Sequence, residues 1–118
     1  MTNPKRGELE ITLGAKKFKG KVTLDVVMRI EQALGMSIVK ATQILSEGSL
    51  TTSQMLAILT QAIRAGGNDV DEKEVGKHLW GGGLADGLKA SGAVLAHILG
   101  AGADEDDEGN EVKAEGLL

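Results

Sequence analysis

The stretch of this chain that comes nearest to a phosphate cradle is Gly14-Ala15-Lys16-Lys17-Phe18-Lys19-Gly20-Lys21, where glycines bracket lysines. A P-loop wraps phosphate in backbone N–H groups and one lysine. It needs four residues between its glycines and Ser or Thr after the lysine. Here five residues intervene and Val22 follows Lys21, so the spacing fails. Gly81-Gly82-Gly83 precedes a helical pattern, and backbone amides at such a start can hold an anion. A glycine run without a partner motif reads instead as a flexible hinge.

Imidazole chemistry finds no better footing. His78 and His97 lie far apart, and neither shows an acidic or histidine partner at the spacing a metal site or general base requires. Ser and Thr gather where helices begin, which capping accounts for. The chain has no Cys, so no thiolate nucleophile, disulfide or thiolate-bound metal is possible. The residues therefore point away from an enzyme, with no cofactor and no metal expected.

Lys5, Arg6, Lys16, Lys17, Lys19 and Lys21 outnumber Glu8 and Glu10 in the first 22 residues. Phosphate contacts in nucleic-acid binding need such a patch. The whole chain is acidic, at net −4, shows no recognition motif, and has no Tyr, one Phe and one Trp for stacking bases. Lysines on a strand more often guard a sheet edge. A solvated or protein-binding face is the better reading, with a small nucleic-acid-binding regulator kept as an alternative.

These residues must be positioned by elements legible in the pattern. Glu8 to Leu13 alternates polar and apolar, placing Leu9, Ile11 and Leu13 on one face of a strand. Gly14-Ala15 turns the chain, and Lys16 to Val22 supplies a second strand anchored by Phe18. A lone hairpin is marginal in water and must cover its apolar face.

From Thr23 onward the apolar spacing is helical. Thr23 caps a helix with Val27, Ile30 and Leu34, stopped by Gly35. Ser37 caps a second, carrying Ile38, Ala41, Ile44 and Leu45 to Gly48. Thr51 with Gln54 makes a capping box for a third, with Met55, Leu56, Leu59, Ala62 and Ile63, ended by Gly66-Gly67. Asp71 with Glu74 makes another for a short fourth helix bearing Val75, Leu79 and Trp80, which stops at Gly81-Gly82-Gly83. Val22/Val27, Leu50/Met55 and Val70/Val75 stand at hydrophobic-staple positions. A fifth helix runs from Leu84 to Leu99, where Gly87 and Gly92 either admit a close neighbour or mark a weak segment.

The expected fold is α+β and mostly α: an N-terminal β-hairpin followed by about five short helices in one domain over residues 1–101. Residues 102–118 hold seven acids and one base, net −6, which leaves +2 on the rest. That composition implies a disordered acidic tail. It could shield the basic patch until a partner displaces it. No run of about 20 apolar residues and no signal-peptide core occur, so no membrane partner and a cytoplasmic setting are expected.

The order of features resembles a known family. Asn3-Pro4-Lys5-Arg6-Gly7-Glu8, the two short strands, Thr23-Leu24-Asp25 and Arg29-Ile30-Glu31-Gln32-Ala33-Leu34-Gly35 are similar to the small proteins of gene transfer agents and tailed phages grouped as tail assembly chaperones, some of them labelled tail tube proteins. The resemblance spans roughly residues 3 to 100. It implies a chaperone that binds the tape-measure protein, helps recruit tail tube protein, self-associates as a homo-oligomer, and is absent from the mature particle. It transfers no active-site residues. The expected partner contacts are the apolar positions Leu9, Ile11, Leu13, Phe18 and Trp80. A virion structural protein, tube or connector, is the main alternative; its tube wall would be dominated by strands, whereas this pattern is mainly helical.

Overall fold

The computed structural model describes residues 7–105. The lead-in before Gly7 and the acidic residues 106–118 lie outside them. Two strands come first, β1 (Glu8–Leu13) and β2 (Lys16–Lys21), followed by α1 (Leu24–Leu34), α2 (Ile38–Ser46), α3 (Thr52–Ala65), α4 (Glu72–Gly82) and α5 (Leu84–Glu105). The hairpin-plus-five-helices expectation is the observed architecture.

β1 and β2 pair antiparallel, Ile11 facing Phe18 and Leu13 facing Lys16. Gly14 opens the two-residue turn at φ 64°, while Ala15 stays at negative φ, the sign pattern of a type II′ turn. That turn's twist matches the strands it joins. Leu9, Ile11, Leu13 and Phe18 share the face laid on the helices, which is how this chain meets the instability of an isolated hairpin.

The helix starts form through local side-chain bonds. Thr23 Oγ1 accepts from Val26 N, Ser37 Oγ from Lys40 N, and Asp71 Oδ1 from Glu74 N. At Thr51 the capping box is complete: its hydroxyl accepts from Gln54 N while Gln54 Oε1 accepts from Thr51 N. Asp71 departs from the expected box, because only the forward bond is present. After α2, Ser49 N–H donates to Ile44 O and Gly48 N–H to Leu45 O, the two bonds of a Schellman motif. α1 and α2 are tied more closely than their caps require, since Glu31 Oε2 accepts from Ile38 N at 3.0 Å.

α3 is the hub. Met55, Ala57, Ile58, Leu59, Ala62 and Ile63 are buried, and α1, α4, α5 and β2 all pack on it. β1 lies over α5 and the end of α4, and α2 rests on α5 and α1. The core holds Phe18 and otherwise aliphatic side chains, Ile30, Ile58, Leu59, Ile63, Val75, Val94 and Leu95 among them. Thr60 and Ser91 are buried on α3 and α5 with hydroxyls that find no hydrogen-bond partner among the described residues.

Two expectations are corrected and one open choice is settled. Gly81 and Gly82 are helical and close α4, and the joint is Gly83 alone, at φ 95°. Gly82 is no flexible hinge: a Cβ there would meet Gly14 N at 2.4 Å, so two backbones touch where α4 meets the hairpin turn. The last helix continues past its expected end at Leu99 to Glu105. Gly87 settles the choice offered for α5 in favour of close contact, for an added Cβ would meet Leu79 Cδ1 at 2.1 Å.

Gly82→Ala is expected to destabilise by about 1–3 kcal/mol, as overpacking does. Gly81→Ala, which meets nothing within 4 Å on the same helix, should be neutral or stabilising by up to about 1 kcal/mol. Urea unfolding of the two variants side by side checks both.

Candidate partner-binding surfaces

The expected contact residues separate sharply in their placement. Ile11, Leu13 and Phe18 are buried in the chain's own core at 1–3% exposure, and Leu9 packs half-buried against it. A partner reaches the first three only by displacing helices. Trp80 is 77% exposed. It follows Leu79 by one residue, about 100° further round the helix, so Leu79 takes the core and Trp80 takes the solvent rather than the expected stripe.

Pattern reading missed Leu24 (75% exposed), Met28 and Val39, which are also turned outward. Met28 follows Val27 and Val39 follows Ile38, while Leu24 lies between Thr23 and Asp25; the core takes Val26 and Ile30 on α1 and Ile38 and Ala41 on α2. Met28 lines a shallow groove of about 410 Å³ with Glu31, Gln32, Met36 and Ser37, beside exposed Leu24 on α1.

The basic patch is less basic in space than in sequence. On the outer face of the hairpin Glu8 stands opposite Lys21, Glu10 opposite Lys19, and Thr12 opposite Lys17. Cross-strand pairs of opposite charge stabilise a sheet modestly and neutralise its face. Lys16, at the turn, lies with Nζ 5.3 Å from the centre of the Phe18 ring.

His78 packs edge-on to the same ring, centroids 5.3 Å apart. Its Nε2 is 3.9 Å from Glu74 Oε2, a single carboxylate one turn back on the same helix. Glu74 leans along its own helix toward His78 rather than back to the Asp71 N–H. His78, Lys77, Lys16 and the Gly14–Ala15 turn border a groove of about 350 Å³ over Gly81 and Gly82. Among the described residues no group of three or more His, Cys, Asp or Glu could hold a metal. The P-loop look-alike is the hairpin itself. Among the described residues no helix is long and apolar enough to cross a membrane.

The two sheet edges differ. Val22 N–H donates to Gly7 O at 2.8 Å, which sets the phase of the ladder. Leu9–Gly20, Ile11–Phe18 and Leu13–Lys16 are then the hydrogen-bonded pairs, while the backbone groups of residues at 8, 10, 12, 17, 19 and 21 point outward. On the β2 side that outward edge is blocked at its middle residue, Lys19. Asn68 Nδ2 donates to Lys19 O at 2.8 Å and to Ile63 O at 2.9 Å. Gly66 sits so near that a Cβ would fall 2.0 Å from Lys19 O. On the β1 side the outward groups of Glu8, Glu10 and Thr12 have no partner among the described residues, and the Glu10 and Thr12 side chains are exposed.

Placement fixes what truncation does to the fold. Phe18→Ala should cost about 3–5 kcal/mol, while Trp80→Ala should change stability by no more than about 0.5 kcal/mol; thermal and urea melts distinguish them.

With this geometry in place, one comparison with known proteins is informative. A family model described as "Phage tail tube protein, GTA-gp10" matches residues 6–101. No curated protein and no solved structure matches the chain.

Proposed function

The chain belongs to the family described as phage tail tube protein, GTA-gp10, and from that premise we propose that it acts as a tail assembly chaperone. Family membership places its role in the tail of a phage or gene transfer agent. The finer reading is that it binds the tape-measure protein and the tail tube protein in the host cytoplasm, performs no catalytic step, and is left out of the mature particle.

The observation that carries this reading is the scarcity of open strand. A tube wall built as a continuous β-lined ring needs subunits whose sheets join neighbours on both sides. Among the described residues the chain offers a two-stranded sheet, and Asn68 and Gly66 block one of its edges at Lys19. Helices make up most of the rest, and exposed Leu24, Met28, Val39 and Trp80 supply apolar area for holding another protein. Trp anchors are prominent among residues that dominate binding energy.

A second reading is favoured by the family's own description, which names a tube protein: a structural subunit of the tail. The two part in the particle. Under the chaperone reading, purified particles lack this chain by mass spectrometry, and co-expression with the tape-measure protein yields a soluble complex on pull-down. Trp80→Ala and Leu24→Ser, both outside the core, should weaken that capture several-fold while leaving the circular dichroism spectrum unchanged. Many copies of the chain in purified particles would establish the structural role instead.

A further inference from the structure

We propose that the open edge of β1 pairs antiparallel with the β1 edge of a second copy of this chain, giving a continuous sheet in the order β2-β1-β1-β2 about a two-fold axis. The proposal stands on the sheet geometry and not on the tail-assembly reading.

The first ground is the asymmetry of the edges. β2 cannot extend the sheet, because Asn68 occupies Lys19 O and the end of α3 crowds Lys19 and Gly20 at Gly66. A sheet with one usable edge closes after a single isologous pairing, whereas two usable edges would allow open-ended growth.

Guarding supplies the second. Natural proteins blunt exposed edges with charged side chains, lysine above all, and with proline, bulges or inward-pointing charges. In this hairpin Lys16, Lys17, Lys19 and Lys21 all belong to β2, the side already blocked at Lys19. β1 carries no lysine and no proline, pairs without a bulge, and turns its acids to the outer face. Its backbone groups are left available, and the half-buried Leu9 stands on the inner face with room for an apolar neighbour.

Charge selects the register. Outward groups on each copy belong to the even-numbered residues, so alternatives differ in steps of two. One register would set Glu10 directly against Glu10, which like charges disfavour. The next sets Glu10 against Thr12 of the second copy and Thr12 against its Glu10. Both backbone groups of each of these residues then find partners. Ile11 and Leu13 of each copy stay covered by their own helices, so the pairing rests on the backbone ladder, with half-buried Leu9 beside it on the inner face.

Sedimentation velocity of the full chain over a concentration series tests this. The expected result is a reversible dimer. Glu10→Pro should give a monomer with an unchanged circular dichroism spectrum, because the Glu10 N–H points to the open edge and donates to nothing within the hairpin. Should that variant unfold, residue 12 decides. Thr12→Lys, facing Glu10 of the second copy, should tighten the dimer roughly threefold to tenfold, and Thr12→Glu should loosen it by a similar factor. A wild-type chain that stays monomeric at every concentration overturns the proposal, whatever other strand that edge accepts. So does a folded Glu10→Pro variant that still dimerises, or an equal response to Lys and Glu at position 12.

Discussion

A two-stranded sheet has no stability of its own in water, and this chain has a single Phe and a single Trp with which to anchor one. The hairpin stands because its floor is α3, and the contact that seats it there is narrow. The carbonyl of Lys19 is held by Asn68, whose amide also closes the last turn of α3 through Ile63 O. Gly66 lets the two backbones come together at that corner. With β2 fixed on α3, Ile11, Leu13 and Phe18 complete an aliphatic core into which α1, α4 and α5 pack from their own sides. A second seat at the far end joins the turn to the last two helices, where Gly14 meets Gly82 and donates its N–H to Asp86 at 2.9 Å.

Much of this was legible because the signals are local. A cap is a side chain bonding a backbone N–H three residues on, so Thr23, Ser37, Thr51 and Asp71 announce their helices within a single turn. Alternation over Glu8–Leu13 likewise needs no knowledge of what lies beneath it. Contacts between distant residues are another matter. Nothing near Asn68 in sequence reveals that it serves Lys19, and Gly66 and Gly82 read as helix stops until the neighbour that excludes a side chain is known. Helix faces were ambiguous for a related reason. Where apolar residues are adjacent, as at Leu79–Trp80 or Val26–Val27, periodicity alone does not say which one the core takes.

The binding surface was the least legible part. Ile11, Leu13 and Phe18 suggest an interface when the hairpin is imagined alone, and the helices that cover them remove that option. By pattern Trp80 fits both a core stripe and a contact, and its exposure leaves it to the surface. The open edge of β1 depends on ladder phase and on a side chain from 49 residues away, neither of which any local pattern encodes. The lysines show the same limit: a basic cluster along the chain becomes, across the hairpin, rows of Glu and Lys facing one another.

Trp80 has an optical consequence. It is the chain's one tryptophan, there is no tyrosine, and its indole stands 77% exposed in the folded state. Its ultraviolet emission is therefore already that of a water-solvated ring, and unfolding has little further wavelength to shift it. The same indole, covered by another protein, would move to shorter wavelength. In this molecule the wavelength of intrinsic emission changes little on folding and reports contact at Trp80 instead.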